Sequence, residues 1–373
     1  MAEATTVLIA AISGRALAQS ARRGGYQPLV VDFFADQDTL EVTRDYVRLA
    51  GKLARGIEEN ALFNALNMLA SRYHPIGIVC GGGFEDRAEL LEQLTKRWRL
   101  FGNNAALVTK VKDPVALSAI CADAAIPFPE FSLKRPIAPG GWLAKRWGGS
   151  GGGHIRPAAR AVRGAIYYQR RVPGIPISAL FISDGANAKV VGFSSQWTLP
   201  TVDKPYRYGG AVQPATLPPD VAASLTAAVG RLAAAVALVG LNSVDFLVDN
   251  ERFWLVDINP RPGATLDIFD FESRQGSLFF LHMAACAGKL LPTPRPDGNA
   301  KAAAIVYADS DIRSVPSLAW PHWTADRPRS GSAIKTGDPI CTVFGLSSDV
   351  AAARALADER RKLVLAWTRA GQA

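Results

Sequence analysis

The sequence contains little that would support a disulfide framework, a zinc site or a membrane span. Its four cysteines and four histidines are scattered, without a C-x-x-C pair or an H-x-x-x-H spacing. The longest apolar stretches, Leu232–Leu241 and Leu278–Ala287, are about half as long as a bilayer span requires. Val7–Ile12 follows Glu3 rather than a basic leader, so it predicts a first buried strand and not a signal peptide. We therefore expect a soluble cytoplasmic protein with reduced thiols and no membrane partner.

Composition excludes several further classes. Of the 373 residues, 49% are hydrophobic and 20% are charged, which is ordinary for globular proteins and argues against disorder, collagen-like sequence and coiled coils. The length predicts two or three domains with separate cores. Lys and Arg number 42 against 33 Asp and Glu, a net charge of +9. This excess suits a nucleic acid, but anionic small molecules such as nucleotides also require local positive charge.

Short apolar strands alternate with helices over roughly the first hundred residues. The predicted strands are Thr6–Ile12, Pro28–Asp32 and Gly77–Cys80, and the predicted helices are Ala16–Arg23 and Glu59–Tyr73. This alternation predicts a parallel, doubly wound, Rossmann-like α/β sheet. Gly81–Gly83 follows the third strand, where such sheets place ligands, although three glycines can also serve only as a tight turn.

The pattern becomes α+β from Asn103 onward. It predicts helices over Pro114–Ala124 and Ala222–Val239, strands over Trp142–Lys145, Ala165–Val172, Ile177–Ser183 and Lys189–Ser194, and a hairpin of Val244–Val248 with Phe253–Ile258. Beyond Leu291 a proline-rich stretch marks a boundary. A small β-rich segment follows it, with a strand at Gly337–Val343 and a closing helix over Asp349–Trp367. We therefore expect units at 1–102, 103–291 and 292–373.

A glycine-rich loop is the first chemical signal. Lys145 precedes residues 148–153, of which five are glycine, and His154 follows them. Such a loop lets backbone N–H groups approach a polyphosphate closely. A Walker A loop and a Rossmann fingerprint do not fit the order of these residues. The pattern favours a flexible β-hairpin lid with Lys145 as a cation for phosphate oxygens; the alternative is a surface loop that binds nothing. Two roles are open for His154: it either packs structurally or faces solvent, or it contacts substrate or phosphate.

An acidic hairpin is the second signal. Asp257 and Asn259 are two apart on a strand, so both project from one face, while Trp254, Val256 and Ile258 are expected on the other. A carboxylate and an amide oxygen suit Mg²⁺. Asp245 can join them only if it lies opposite Asp257, whereas a plain two-residue turn at 250–251 would pair it with Val256. The sequence therefore predicts a three-residue loop or a bulge.

Arg261 lies just past these ligands, where it could stabilise negative charge on a transferring phosphoryl group. An exposed amphipathic hairpin with solvated acids is the alternative for this segment. The flanking Leu, Val, Ile and Trp residues favour a lined cleft.

Together the loop and the hairpin resemble the ATP-grasp superfamily, which includes D-alanine–D-alanine ligase and biotin carboxylase. The matching residues are Lys145 with Gly148–Gly153, then Gln169–Gly174, and then Asp245, Asp257, Asn259 and Arg261. Arg15–Tyr26 and Val31–Asp36 are further similar to a branch of predicted ATP-dependent carboligases. The resemblance implies an ATP-grasp fold at 103–291, with a lid at about 110–190 and a metal-site half at about 191–291, after a pre-ATP-grasp domain at 1–102.

The resemblance also implies a role for each matched position. ATP would contact Lys145, Gly149, Ser150, Gly151, Gly152 and His154 in the lid, Gln169, Arg170 and Val172 beside adenine, and a second lysine that is either Lys110 or Lys112. One or two Mg²⁺ ions, with Mn²⁺ as a substitute, would bind Asp245, Asp257 and Asn259. Arg261, with Lys145 as a second catalytic residue, would bind the reacting carboxylate or phosphate. Two departures matter: residues 172–178 lack the glutamate that many members use for ribose, and Asp257 replaces the more usual glutamate.

The function that the resemblance implies is an ATP-dependent carboxylate–amine ligase. Transfer of the γ-phosphoryl group would convert a carboxylate into an acyl phosphate, which an amine then attacks to form an amide. Expected partners are a small carboxylate and an amine, in the manner of cofactor biosynthesis, with a homodimer as a possible assembly and no nucleic acid. The alternatives are a bicarbonate-using carboxylase-type ligase, suggested by Gly337–Val343, and a non-catalytic nucleotide- or nucleic-acid-binding protein.

Overall fold

The computed structural model describes residues 5–51, 53–160, 164–270, 276–293 and 298–370. Within these ranges the chain forms a parallel sheet, a small antiparallel sheet and a long antiparallel sheet. No helix in the described ranges combines the length and the apolar character that crossing a membrane requires.

The parallel sheet is built from the first hundred residues, as predicted. Its elements are β1 (Thr6–Ala10), α1 (Arg15–Arg23), β2 (Gln27–Asp32), α2 (Gln37–Leu40), β3 (Asp45–Arg48), a 3₁₀ turn (Leu53–Arg55), α3 (Glu59–Tyr73), β4 (Ile78–Cys80) and α4 (Ala88–Thr95). The strand order is β3-β2-β1-β4, and every pairing is parallel. The sequence interpretation missed β3 because this edge strand is only half-buried and lacks an apolar run.

A second unit contains two helices and the small antiparallel sheet. Its elements are α5 (Ala105–Lys112), α6 (Pro114–Asp123), β5 (Phe131–Ser132), β6 (Trp142–Arg146), β7 (Ile155–Pro157) and β8 (Ile166–Arg170), with sheet order β5-β8-β6-β7. Asp113 separates the helices: its side chain accepts hydrogen bonds from the N–H groups of Val115 and Ala116, and Pro114 opens α6. Lys145 pairs with Ile155 across β6 and β7, so the glycine-rich loop joins two antiparallel strands as expected.

The long sheet spans the rest of the chain. Its elements are β9 (Ile175–Asp184), β10 (Ala188–Thr198), β11 (Tyr208–Gln213), α7 (Pro219–Val236), β12 (Val239–Asp249), β13 (Arg252–Asn259), α8 (Leu266–Phe269), α9 (Leu278–Cys286), β14 (Ala300–Tyr307), β15 (Thr324–Ala325), β16 (Pro339–Ser347) and α10 (Val350–Ala370). The strand order β13-β12-β9-β10-β11-β14-β16-β15 carries the sheet across the expected boundary at 292. The C-terminal segment is thus joined to the preceding unit by the pairing of β11 with β14. The expected domain boundaries themselves stay a prediction.

The core under this sheet explains where its polar residues lie. One face of β12 and β13 packs Val244, Phe246 and Leu255 against α7 in a cluster that excludes water. Because successive side chains alternate between the faces of a strand, Asp245 and Leu247 project from the opposite face. The buried face therefore determines which side of the hairpin can carry a site.

Candidate active site

Asp245 and Asp257 lie directly opposite each other in the β12–β13 hairpin. The turn has two residues, 250 and 251, and pairs Asp249 with Arg252. The register shifts between Phe246 and Asp245, so that Val256 has no partner of its own and Asp245 pairs with Asp257. The predicted bulge is confirmed.

The same bulge overturns one expectation. Trp254 pairs with Leu247, which shares its face of β12 with Asp245. The prediction that Trp254 projects away from the acidic side chains is therefore wrong. The prediction assumed that side chains alternate strictly between the two faces from Trp254 to Asp257. The extra residue in the bulge interrupts this alternation, so Trp254 and Asp257 project from the same face.

The two carboxylates are held in different ways. Lys112 Nζ donates to Asp257 Oδ1 over 2.7 Å. Asp245 accepts hydrogen bonds from Gln196 Nε2 and Asn259 Nδ2, each over 3.3 Å. Burial, together with the charge of Asp257, raises the pKa of Asp245 to about 6. A bound cation would favour the charged form of Asp245 and so lower this pKa.

The structure distinguishes between the two candidate lysines on α5. The Lys112 side chain is only 6% exposed and reaches Asp257, whereas Lys110 lies on the exposed face of the helix. Val108 and Val111 fix this orientation because their side chains are buried against neighbouring elements. Lys112 therefore joins the carboxylate cluster and Lys110 does not.

Lys145 enters the cluster from the lid. Its Nζ donates to the carbonyl oxygen of Val256 over 3.2 Å, so the bulged residue supplies the acceptor. Burial lowers the pKa of Lys145 to about 8; Asp257 opposes this shift and Lys112 adds to it. A lysine that is buried in this way and bonded mainly to a carbonyl group is available to an anionic ligand.

The glycine-rich loop packs closely on its surroundings. A Cβ at Gly148 would lie 2.7 Å from Asp86 Cα, and one at Gly152 would lie 1.9 Å from the carbonyl oxygen of Tyr206. Both glycines also have positive φ. The ring of His154 covers Gly149, its Nδ1 lies 3.3 Å from the carbonyl oxygen of Ser150, and burial lowers its pKa to about 4. His154 is thus neutral at neutral pH, and the loop is packed against Asp86 and Tyr206 at Gly148 and Gly152.

Arg261 forms an ion pair with Glu85, a residue that the sequence interpretation missed. Arg261 Nε lies 2.7 Å from Glu85 Oε1, and its NH2 donates to Asn259 Oδ1 over 3.3 Å. Although burial alone would raise the pKa of Glu85, the charges of Arg261 and Lys112 hold it at about 2. The other oxygen of Glu85 accepts a hydrogen bond from Gly83 N–H over 2.8 Å. An acid two residues after the Gly81–Gly83 turn was the available signal.

The three candidates near the end of β8 differ in position. Gln169 is buried, and its Nε2 has no hydrogen-bond partner among the described residues. It pairs with Leu143 and therefore shares the face of Lys145. Arg170 is exposed, with its guanidinium 5.4 Å from the centre of the Trp142 ring, and so lies outside the cluster. Val172 is half-buried in the connection to β9.

The side-chain oxygen atoms at the end of the β12–β13 hairpin are suitable ligands for a hard divalent cation. Asp245 and Asp257 face each other, and Asn259 adds an amide oxygen that at present accepts a hydrogen bond from Arg261. In the described residues no group of three or more His, Cys, Asp or Glu is arranged as a metal site, and the predicted set has only two carboxylates. Such a set suits Mg²⁺, which shares its coordination with substrate phosphates.

One segment of the chain matches a known domain family. Residues 113–265 match the family model of the ATP-grasp domain. A search of the curated proteins gave no match to this sequence. Residues 113–265 therefore match an ATP-grasp domain, as the sequence resemblance implied.

Solved structures resemble the chain over nearly its whole length. Biotin carboxylase from Campylobacter jejuni has a TM-score of 0.73 at 15% identity, covering 98% of this chain and 95% of that one. The biotin carboxylase domain of 2-oxoglutarate carboxylase from Hydrogenobacter thermophilus, solved as a dimer with MgADP and bicarbonate, has a TM-score of 0.70 at 14% identity, covering 92% and 86%. N5-carboxyaminoimidazole ribonucleotide synthetase from Thermotoga maritima has a TM-score of 0.68 at 12% identity, covering 96% and 98%. At these identities the likeness shows the fold, which is the ATP-grasp fold.

Proposed function

We propose that this protein is an ATP- and Mg²⁺-dependent carboxylate–amine ligase that forms an amide on a small metabolite or cofactor precursor through an acyl phosphate. The observation that carries the proposal is that three cations lie around the facing carboxylates Asp245 and Asp257: Lys112 bonds to Asp257, Lys145 to the carbonyl oxygen of Val256, and Arg261 to Asn259. Cations beside carboxylate and amide oxygens suit the phosphates of ATP and their metal ion.

Each residue would contribute through its own chemistry. Asp245, Asp257 and Asn259 would hold Mg²⁺, which supplies charge neutralisation at the phosphate oxygens when bound. Lys112 and Lys145 would bind phosphate oxygens and exchange their present protein partners for the ligand. The glycine loop would exclude water from the transferring group, since it follows β6, the strand that carries Lys145.

Arg261 is proposed to bind the substrate carboxylate. Its guanidinium lies within 4 Å of where a Cβ at Gly82 would project, so the glycine turn leaves space beside it. A bidentate contact would orient the carboxylate for phosphoryl transfer and then stabilise the charged intermediate. The attack by the amine needs no side-chain nucleophile, because phosphate is already a good leaving group.

A bicarbonate-using ligase is the second candidate. It is favoured by the whole-chain fold likeness to biotin carboxylases, one of which was solved with bicarbonate. Here bicarbonate would take the place of the organic carboxylate beside Arg261. A homodimer is likewise proposed on the dimer of that neighbour.

An ADP-release screen distinguishes the candidates. The full chain is incubated with Mg²⁺ and ATP against a matrix of small carboxylates and amines, and separately with bicarbonate and each amine. The ligase proposal expects ADP release that needs both an organic carboxylate and an amine, together with an amide detected by mass spectrometry. Release that depends on bicarbonate would favour the carboxylase, and no ATP binding by calorimetry would overturn both.

A further inference from the structure

A second groove lies between the parallel sheet and the C-terminal segment. It encloses about 450 Å³ and shares no lining residue with the candidate active site. One wall follows the carboxyl end of β2 and includes Phe33, Asp36 and Arg48; the other includes Arg329 and Ile340. Its size is that of a site for a small metabolite.

Asp36 is the unusual residue of this groove. It is 4% exposed, and its Oδ2 has no hydrogen-bond partner in the described part of the chain. Its acidic neighbours are well partnered: Asp32 accepts three backbone N–H groups, Asp38 accepts two, and Asp326 is bonded to Arg15. Buried polar atoms are nearly always hydrogen-bonded, so an orphaned carboxyl oxygen at a groove indicates a missing donor.

The missing donor is expected to be cationic. Burial, with the charges of Asp326, Asp32 and Asp38, raises the pKa of Asp36 to about 9. Arg15 is already committed to Asp267, with its NH2 2.7 Å from Asp267 Oδ2, and to Asp326. Asp36 therefore carries a proton at neutral pH in the ligand-free protein. An ammonium group would bind the carboxylate as this proton is released to solvent, and the neighbouring acids would favour its positive charge.

The groove also offers two cations to a ligand anion. Arg48 donates through Nε to the carbonyl oxygen of Phe33 over 2.9 Å. This hydrogen bond does not use the terminal nitrogens of its guanidinium. Arg329 is exposed and has no ion pair among the described residues. Apolar surface from the half-buried Phe34 and Leu53 lies in the same groove. The lining is therefore complementary to a molecule with an ammonium group, a carboxylate and an apolar body.

We propose that this groove is a binding site for a small zwitterion of the amino-acid class, with its ammonium group at Asp36 and its carboxylate at Arg48 and Arg329. The site bridges two parts of the fold. Asp38, two residues from Asp36, accepts the N–H groups of Asp326 and Arg327, and Arg15 links the parallel sheet to Asp267 and Asp326. A ligand here would add contacts across this junction and stabilise the folded chain.

The test is calorimetry and thermal unfolding of the full chain without ATP, so its outcome does not depend on the ligase proposal. The probes are the standard L-amino acids at about 10 mM, well above the Kd of a specific site. Comparators are 3-phenylpropionate, which lacks the ammonium group, and phenethylamine, which lacks the carboxylate. We expect saturable binding and a raised Tm with at least one apolar amino acid, and neither effect with the comparators.

Variants then locate the site. Asp36→Asn and Arg329→Gln should each weaken binding about tenfold or more, since each removes a charge-assisted contact. Arg313→Gln, an exposed arginine of the same segment outside the groove, should bind like the unmodified protein. Saturation by no amino acid, equal binding of a comparator, or unchanged affinity in Arg329→Gln would each overturn the proposal. Arg329 is exposed, so this variant keeps the test valid if Asp36→Asn does not fold.

Discussion

Asp245 and Asp257 face each other across a hairpin because Val256 bulges out of the strand pairing between them. The bulge places both carboxylates on the face opposite the core, and its carbonyl group receives the hydrogen bond from Lys145. A single irregular residue thus brings the two acids together and anchors the lid lysine beside them.

Asp257→Asn should lower Mg²⁺-dependent ADP release at least about a hundredfold, because it removes one of the two facing carboxylates at the transferring phosphate. Thermal unfolding should show that the fold is kept. Asp249→Asn is the matched control, since Asp249 lies in the same hairpin and pairs with Arg252 at its exposed end. Equal loss in both variants, or unchanged turnover in Asp257→Asn, would refute the metal assignment.

Lys112→Met should weaken ATP binding about tenfold, whereas Lys110→Met should leave it unchanged. The two lysines share a helix, but only Lys112 reaches the carboxylate cluster. Calorimetric titration with ATP and Mg²⁺ measures both. The assignment fails if Lys110→Met has the larger effect.

The affinity for ATP should fall as the pH rises through about 8. Because the pKa of Lys145 is lowered to about 8, its charge is complete only below that pH and is lost above it. Lys145→Arg keeps the charge and should bind ATP with a flatter pH profile, while Lys145→Ala should bind weakly throughout. Identical profiles for the unmodified protein and Lys145→Arg would remove Lys145 from the phosphate site.

Asp245→Asn should raise the Tm of the ligand-free protein at neutral pH. The pKa of Asp245 is raised from its usual value near 4 to about 6, so the folded state loses stability as the pH rises through this window. The stabilisation by Asn should therefore be absent near pH 4 and complete above about pH 6. Mg²⁺ should raise the Tm of the unmodified protein more than that of the variant; an equal response to Mg²⁺ would contradict a metal site at Asp245.

Glu85→Gln should destabilise the protein by about 2 kcal/mol, because the charge-assisted contact to the partly buried Arg261 is lost. The pKa of Glu85 is lowered to about 2, so the difference from the unmodified protein should shrink as the pH approaches 2. If Glu85 orients Arg261, the KM for the carboxylate should also rise.

The control is Glu89→Gln, which removes an acid from an exposed ion pair with Arg87. It should change neither the stability nor the KM. A Glu85→Gln variant with unaltered stability and KM would show that the ion pair positions nothing.

The sequence by itself determined the features that depend on local patterns. Alternating apolar strands and helices predicted the parallel sheet, and the glycine run after Lys145 predicted the β6–β7 hairpin. The paired acids predicted a three-residue loop or a bulge, since a plain two-residue turn would pair Asp245 with Val256. Periodicity and chain geometry are sufficient for such inferences.

Only the tertiary structure decided which distant side chains meet. Glu85 pairs with Arg261, which is 176 positions away in the sequence. Lys112 rather than Lys110 meets Asp257, because burial of Val108 and Val111 fixes the rotation of α5 about its axis. The lack of a hydrogen-bond partner for Asp36 Oδ2 likewise follows only from the tertiary structure, in which the C-terminal segment packs beside β2. Hydrophobic periodicity along the chain indicates whether a segment forms a helix or a strand. Which side of that element faces the core, and which residues it meets, depend on the elements that pack against it.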